Sequence, residues 1–505
     1  MSDLKQRLIE YCETEYYPFH MPGHKRQIQD ERSPFFYDIT EIEGFDNLHK
    51  PEGILRIAME EAAKFYGADR TYFMVNGSTG GLLSAISAVT DYGDEILIAR
   101  NCHKSVYNAL YLRGLRQWYI CPEYVEEYGI SGGISVEKLR QQLKAHPNVK
   151  AVVITSPTYE GVVSHVEEIA LLVHQYGIPL IVDEAHGAHF GLHESFPKSA
   201  ITLGADIVIQ SLHKTLPALT QAALLHVKFH KGVKVERGLI EQFLSIYQTT
   251  SPSYVLMASI DECINKIKNE GVLLFEPYVK RLEVIKQHAK QLTHLRLVDR
   301  EILGKNAVYG LDLSKLVISC RGTELTGQQL YDKLSKEHHL QLEMAAGDYA
   351  VAMTSVMDTE EGLLRLFTAL AEVDRDLRIS GGEYQFQLPQ NREETESELA
   401  IKEFAMPDVT VLKGISEAMH AKQEVIPFTQ AAGRISANYV YLYPPGIPVI
   451  APGDLISAEV TALVLRYQAS GLRIHGWIDE KEPKISVVQE EFQRIRFCEW
   501  RRLDC

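Results

Sequence analysis

A lysine follows the predicted end of a buried strand. The apolar run ADIVIQ (205–210) has the composition of a strand, and the next stretch, SLHKTLPALTQ, contains Lys214. A second apolar run, PLIVDE (179–184), brings Asp183 to its own end. In doubly wound sheets, ligands bind outside the carboxyl ends of the parallel strands. Both side chains are therefore expected at one ligand crevice.

A glycine- and hydroxyl-rich turn supplies a third component. MVNGSTGGLLSAI (74–86) is typical of a turn that leads into a helix. Backbone N–H groups at such a helix start, together with Gly77, Ser78 and Thr79, are able to hold a phosphate. The stretch is not a P-loop, because no Gly-Lys-Ser/Thr follows, and it is not a GxGxxG fingerprint. Taken alone, it also fits an ordinary helix N-terminus.

A lysine, a carboxylate and a phosphate turn are together what pyridoxal phosphate requires. The lysine forms a Schiff base with the aldehyde of the cofactor. The aspartate pairs with the pyridine nitrogen and keeps it protonated, so that the ring accepts electrons. We therefore predict that Lys214 anchors the cofactor and that Asp183 faces its pyridine nitrogen. Ser211 and His213 are predicted to add donors beside the phosphate.

Alternating strand and helix patterns are expected to position these residues. From residue 68 to about residue 225, further short apolar runs such as EILIAR (95–100) and AVVITS (151–156) indicate buried strands. Between AVVITS and PLIVDE, the stretch VEEIALLVHQYG has apolar residues at helical spacing and ends at Gly177. This pattern predicts right-handed βαβ units and a mostly parallel sheet.

The rest of the chain changes character twice. Short strands and one amphipathic helix indicate a smaller α+β domain, and a polar, acid-rich stretch indicates a linker before a turn-rich last unit. The predicted boundaries are an N-terminal segment at 1–60, a large domain at 61–300, a small domain at 301–385, a linker at 386–402 and a C-terminal domain at 403–505.

Composition limits the classes of partner. The formal net charge of −15 argues against nucleic acid or an anionic membrane as the main partner. Seven cysteines without a CxxC pair argue against a disulfide framework or a structural zinc site, and fit a reducing cytoplasm. The N-terminus has no apolar signal-peptide core, and no stretch of about 18 apolar residues is present. A cytoplasmic protein without a membrane span is predicted.

Six motifs stand in a fixed order along the chain: PFHMPGHKR, NGSTGG, NCHKSVYNAL, DEAHGAH, SLHKTLPALTQ and YPPGIP. Together they resemble the shorter form of the Orn/Lys/Arg decarboxylase family, whose members are pyridoxal-phosphate enzymes of the aspartate-aminotransferase fold (fold type I). The resemblance runs from about residue 18 to beyond residue 460. It implies a large domain with a mostly parallel sheet, a smaller α+β domain, a C-terminal decarboxylase domain and an N-terminal segment that contributes to the active site.

The resemblance also implies an activity and a set of roles. The activity is decarboxylation of arginine, lysine or ornithine to the amine and CO2, a reaction of polyamine biosynthesis. His103 matches the histidine that stacks on the pyridine ring, Thr158 matches a contact of the ring's phenolic oxygen, and His186 lies beside the cofactor. The residues implied around the phosphate are Gly77, Ser78, Thr79, Ser211 and His213, with Thr249 and Thr250 of QTTSPSY reaching it from a neighbouring subunit. A homodimer or a multiple of dimers is therefore expected.

A basic substrate needs a second carboxylate in the pocket, because burying its side-chain cation without a partner is costly. Asp454 in APGDLIS is one candidate, since relatives commonly have Pro-Gly-Glu here and place that acid near the distal nitrogen. Asp46 in GFDNLHKPEG is the other candidate. Asp454 also fits an ordinary turn aspartate, since Pro-Gly-Asp is common in turns.

Other functions remain open at this point. An aminotransferase or aldolase of the same fold uses the same cofactor set, because the orientation of the substrate decides which bond breaks. A non-catalytic, cofactor-binding homologue is a third possibility, although Lys214 and Asp183 are both present. No metal is expected: His186 and His189 have HxxH spacing but lack a third ligand at a zinc-site distance.

Overall fold

The structure, a computed structural model, describes residues 14–20, 23–25, 27, 34, 38–380, 406–442, 446–469, 471–479 and 482–489. The predicted linker at 386–402 and residues 443–445 of the YPPGIP motif lie outside the described residues. Within the described part of the chain, every helix is too short or too polar to cross a bilayer.

A seven-stranded sheet forms the centre of the large domain. Its inner strands are rich in Val, Ile and Leu and are largely buried, as expected for a sheet covered on both faces. Six strands share one direction, and Ala223–Val227 runs antiparallel to both of its neighbours. The strands lie in the order Arg70–Met74, Ala223–Val227, Ile207–Gln210, Leu180–Asp183, Val149–Thr155, Glu95–Ala99, Arg116–Ile120. The predicted mostly parallel sheet is therefore confirmed.

Alternation along the strands divides the interior into two cores. Phe73 and Leu224 belong to one hydrophobic cluster, whereas their neighbours Met74 and Leu225 belong to another. Successive side chains of a strand point to opposite faces, so each face of the sheet has its own core. The helices of this domain are Ile54–Tyr66, Gly77–Val89, Lys104–Arg113, Val136–Ala145, Val166–His174, Leu212–Thr215, Arg237–Tyr247 and Tyr254–Ala289. Two short hairpin strands, Tyr124–Val125 and Ile130–Ser131, pair beside the sheet.

The small domain is built on a four-stranded antiparallel sheet. Its strands lie in the order Arg296–Leu297, Lys315–Ser319, Tyr349–Met353, Met344–Ala346. Helices Gly327–His338 and Glu360–Ser380 accompany this sheet, and the first begins at a capping box formed by Thr326 and Gln329. The small domain also contains a 3-10 turn at Arg300–Ile302. Two further short strands pair with other parts of the chain: Gly310–Leu311 with Val162–Val163, and Leu340–Leu342 with the N-terminal strand Tyr17–Phe19.

The C-terminal domain has its own small core, which includes Phe428, Val440, Leu463 and Ile485. Strands Gln423–Pro427 and Lys484–Val488 form one pair, and a three-stranded sheet has the order Ile447–Ile450, Val440–Leu442, Ile474–His475. The domain also contains helices Ile415–His420 and Ala458–Ala469 and a 3-10 turn at Phe428–Gln430.

Candidate active site

A cavity of about 490 Å³ lies at the carboxyl ends of the parallel strands. The structure brings ten of the predicted residues to its wall, and they come from five separate stretches of the chain. These residues are Gly77, Ser78, Thr79, His103, Thr158, Asp183, His186, Ser211, His213 and Lys214. A larger cavity of about 590 Å³ lies between helices Ile54–Tyr66 and Arg237–Tyr247, away from these residues.

Lys214 lies on the short helix Leu212–Thr215, directly after strand Ile207–Gln210. Its Nζ is 2.9 Å from His186 Nε2 and 5.4 Å from the centre of the Tyr159 ring. Burial lowers the pKa of Lys214, and the nearby charge of Lys315 lowers it further, against the opposing effects of Asp183 and Glu343. Removal from water therefore favours the neutral amine, which is the nucleophilic form.

Asp183 ends strand Leu180–Asp183 and is almost completely buried. Its Oδ1 accepts a hydrogen bond from the backbone N–H of Ala185 at 3.2 Å. Burial raises the pKa of Asp183, whereas the charge of Lys214 lowers it. A buried carboxylate of this kind needs a cationic partner, and a protonated pyridine nitrogen is such a partner.

Helix Gly77–Val89 begins at the cavity with free donor groups. Its N-cap residue Asn76 makes no side-chain capping bond, and the first turn contains no acidic residue. Gly77 has φ +66°, a backbone conformation that favours glycine at the turn before this helix. The hydroxyls of Ser78 and Ser211 lie 2.6 Å apart and join the helix start to the lysine-bearing turn. The amides and hydroxyls here match the donor set that a phosphate needs.

Three histidines of the cavity wall are held in the neutral form. His103 caps helix Lys104–Arg113: its Nδ1 accepts from the backbone N–H of Ser105 and lies 2.8 Å from that residue's Oγ. Burial lowers the pKa of His103 to about 4, that of His213 to about 4, and that of His186 well below its ordinary value. His186 Nδ1 is buried and has no hydrogen-bond partner among the described residues. A polar group bound at the site would satisfy it.

Tyr159 and Glu160 are among the cavity residues that sequence reasoning missed. Both directly follow Thr158 in the stretch SPTYEG (156–161). The Tyr159 ring packs against the ring of His186 at 4.1 Å between centres. Glu160 is buried, and its Oε1 accepts a 2.5 Å hydrogen bond from the hydroxyl of Tyr349. The only available signal was their position in a turn with a predicted cofactor contact.

The two acids predicted for the substrate cation, Asp454 and Asp46, do not line this cavity. Asp454 is buried in an ion pair with Arg100 at 3.2 Å, and it also accepts hydrogen bonds from the Tyr119 hydroxyl and the Ala451 N–H. Its charge is therefore already matched within the protein. Asp46 accepts from backbone N–H groups around the start of helix Ile54–Tyr66, including that of Gly53 at 2.7 Å. Asp46 therefore acts as an acceptor for the turn and for the helix start.

Thr249 and Thr250 do not line the cavity of their own chain. Both are exposed, directly after helix Arg237–Tyr247. The Thr249 carbonyl lies 2.8 Å from His49 Nε2. Their contact with the cofactor phosphate of a neighbouring subunit stays a prediction.

Comparison with known families gives two matches. Residues 2–322 match the family model described as "Orn/Lys/Arg decarboxylase, major domain", and residues 394–473 match "Orn/Lys/Arg decarboxylase, C-terminal domain". Among curated proteins, the chain is 34% identical over 482 residues to the arginine decarboxylase of Bacillus subtilis, covering 94% of this chain and 95% of the relative. It is 31% identical over 492 residues to the arginine decarboxylase of Bacillus anthracis, covering 96% of each.

Solved structures share the fold. Lysine decarboxylase A from Pseudomonas aeruginosa superposes with a TM-score of 0.73 at 21% identity, covering 89% of this chain and 73% of that chain. The constitutive lysine decarboxylase of E. coli gives a TM-score of 0.69 at 20% identity, covering 86% and 72%. The predicted fold class, a fold-type-I large domain with a smaller α+β domain and a C-terminal domain, is confirmed by these matches.

Proposed function

Because the chain belongs to the Orn/Lys/Arg decarboxylase family, we propose that it removes the carboxylate of arginine, with pyridoxal phosphate as its cofactor. The predicted family and the general activity, decarboxylation of a basic amino acid, are confirmed by the matches. Arginine is the finer proposal. It is supported by relatives named arginine decarboxylase at 31% to 34% identity over most of the chain.

One observation carries the proposal. A partly buried lysine, a buried aspartate and an uncapped helix start line a single cavity. The donor set suits each part of pyridoxal phosphate: an amine for the aldehyde, a carboxylate for the pyridine nitrogen, and free amides with hydroxyls for the phosphate. When bound, the cofactor supplies an electron-accepting ring that weakens the bonds at the substrate's Cα.

The chain's own residues have distinct tasks in this proposal. Burial lowers the pKa of Lys214, which favours the neutral amine. Lys214 would also carry a proton near the substrate's Cα. Asp183 would provide the negative charge that pairs with the ring nitrogen of the bound cofactor. His103 provides a neutral, oriented ring at the cavity wall, since its Nδ1 is engaged by Ser105.

Other enzymes of this fold are the main alternative. An alanine–glyoxylate aminotransferase from Nostoc sp. shares the fold with a TM-score of 0.50 at 16% identity, so the fold alone does not choose the reaction. Retention of Lys214 and Asp183 in one cavity argues against a non-catalytic homologue.

The test is a side-by-side assay of arginine, lysine and ornithine with purified protein and added cofactor. We expect CO2 and the corresponding amine, with arginine giving the highest kcat/KM. A keto acid in place of CO2 identifies an aminotransferase and overturns the proposal. Faster turnover of lysine or ornithine overturns the choice of arginine while leaving the decarboxylase activity intact.

We also propose that the active enzyme is a homodimer or a multiple of dimers. The exposed position of Thr249 and Thr250 after helix Arg237–Tyr247 leaves them available to a second subunit. Sedimentation together with activity assays over a dilution series tests this. Full activity of a monomer contradicts it.

A cytoplasmic location and a role in polyamine biosynthesis complete the proposal. The four described cysteines, Cys102, Cys121, Cys263 and Cys320, are free thiols, which suits a reducing compartment. The amine product of arginine decarboxylation is a polyamine precursor by its chemistry. Cell fractionation, together with polyamine levels in cells lacking the protein, tests both statements.

A further inference from the structure

We propose that Glu160 binds the side-chain cation of the substrate and so selects basic amino acids. This inference rests on the proposed function, because it assigns a role within the same site. It replaces Asp454 and Asp46, whose carboxylates are engaged elsewhere.

The first observation concerns the acidic residues of the cavity wall. Two of the lining residues are acidic, Asp183 and Glu160. Asp183 ends a central strand next to Lys214 and faces the cofactor ring in the proposed function. Glu160 is then the lining carboxylate that is left for the substrate. It is 7% exposed, so a cation from the substrate would compensate a buried negative charge, and the acid would compensate a buried guanidinium.

A tight turn fixes the position of Glu160. The Gly161 N–H donates to the Thr158 carbonyl at 3.0 Å, and the Val162 N–H donates to Thr158 Oγ1 at 3.2 Å. Gly161 has φ +87°, and a Cβ there would lie 3.1 Å from the Asp312 carbonyl oxygen. The turn is therefore both strained for other residues and closely packed. It presents Tyr159 beside Lys214 and Glu160 one residue further along.

A tyrosine from the small domain orients the carboxylate. Tyr349, on strand Tyr349–Met353, donates its hydroxyl to Glu160 Oε1 at 2.5 Å. Burial raises the pKa of Tyr349, and the charge of Glu160 raises it further, so the hydroxyl stays protonated and remains a donor. A carboxylate held in this way is pre-organised for a second partner.

Space for the substrate's far end lies next to Glu160. Glu160 lines both the Lys214 cavity and an adjoining cavity of about 140 Å³. The two cavities also share the wall residues Asn101, Ser131 and Ile447. The wall of the adjoining cavity includes Tyr124, whose hydroxyl is buried without a hydrogen-bond partner among the described residues. The wall also includes Arg100, whose positive charge is paired with Asp454. The aromatic rings, the buried polar atom and the carboxylate of Glu160 together suit a flat, multiply donating guanidinium.

The experiment compares how tightly arginine and citrulline bind to the cofactor-loaded enzyme. Citrulline has nearly the same shape as arginine but lacks the positive charge. Binding is followed through the visible spectrum of the cofactor, which does not require CO2 release. We expect the wild-type enzyme to prefer arginine strongly, and Glu160→Gln to weaken arginine binding about a hundredfold while citrulline binding changes only a few-fold.

Two further variants test whether the charge of Glu160, and not a general disturbance of the protein, causes the effect. Glu160→Asp retains the charge and is expected to keep a preference for arginine. Glu301→Gln is the matched control, because Glu301 also accepts a 2.5 Å hydrogen bond from a tyrosine, Tyr128, but lies outside the cavity wall. It is expected to leave the preference unchanged.

Three results would overturn the assignment. An unchanged arginine preference in Glu160→Gln excludes Glu160 as the cation partner. Equal losses for arginine and citrulline in both Glu160 variants give it a purely structural role. Loss of the preference in Glu343→Gln instead transfers the role to Glu343, whose charge also acts on Lys214. A wild-type enzyme that releases no CO2 from any basic amino acid refutes the proposed function, whereas the binding comparison can still be made.

Discussion

Two lysines lie close together in this protein in opposite electrostatic settings. Lys315 is fully buried, and its Nζ donates to Asp312 Oδ2 and Ser314 Oγ, both at 3.1 Å. Asp312 in turn contacts His189 Nε2 at 2.9 Å. Lys214 keeps some exposure to the cavity, and its nearest nitrogen neighbour is the neutral imidazole of His186.

The difference shows how one residue type acquires two functions. Asp312 and Lys315 form a buried ion pair, and the pKa of Asp312 is held well below its ordinary range by His189 and Lys315 despite burial. Lys214 has the charge of Asp183 nearby but no hydrogen-bonded carboxylate among the described residues, and its pKa is lowered. A paired lysine supports the fold, whereas a lysine without a bonded acid is available as a nucleophile.

The largest expected effect comes from Lys214→Ala. This change removes the amine that bonds to the cofactor, so turnover should fall by at least about a thousandfold, and the visible absorption that the cofactor gains on bonding to the lysine should disappear. Stability should change little, because no ion pair is broken. Assays of CO2 release, absorption spectra and thermal unfolding test the three statements. Near-normal turnover would remove Lys214 from the mechanism.

Lys315→Met is expected to reduce stability while leaving the cofactor bound, the opposite of the result expected for Lys214→Ala. It leaves Asp312 as a buried carboxylate without its lysine, which should cost about 3–5 kcal/mol of unfolding free energy. The visible absorption of the remaining folded enzyme should persist. Denaturant unfolding measures the loss, and the double variant Lys315→Met, Asp312→Asn should recover part of it. A fully stable single variant would show that the contrast between the two lysines is not one of pairing.

The sequence alone predicted the residues of the cavity better than the long-range partners of charged side chains. Lys214, Asp183 and the turn at Gly77 were found because strand ends and helix starts are local patterns. The partners of Glu160 and Asp454 were not found, because they come from distant parts of the chain: Tyr349 is 189 residues from Glu160, and Arg100 is 354 residues from Asp454. A Pro-Gly-Asp turn does not reveal that an arginine on another domain takes its charge. Roles that depend on which acid meets which base therefore required the structure.

A third variant gives Lys214 a carboxylate partner, as Lys315 already has in Asp312. His186→Asp gives Lys214 a carboxylate in place of a neutral ring, which should raise the pKa of Lys214 by about one unit or more. Because the neutral amine reacts with the cofactor, the pH midpoint for cofactor binding by the apoenzyme should move upwards by the same amount. Tyr159→Phe, which changes no charge, is the control. A midpoint that stays fixed would contradict the proposal that the missing ionic partner keeps Lys214 reactive.

Asp454→Asn has the smallest expected effect on catalysis. Asp454 belongs with Lys315 as a paired, structural charge, since it contacts Arg100 and Tyr119 rather than the cavity. Arg100 keeps its bonds to the carbonyls of Pro448 and Val449 in the variant, so the loss of stability should be about 1–3 kcal/mol. The value of kcat/KM should stay within a few-fold for arginine, lysine and ornithine alike. A selective loss for one basic amino acid, with cofactor absorption intact, would return Asp454 to the substrate site and would weaken the assignment of Glu160.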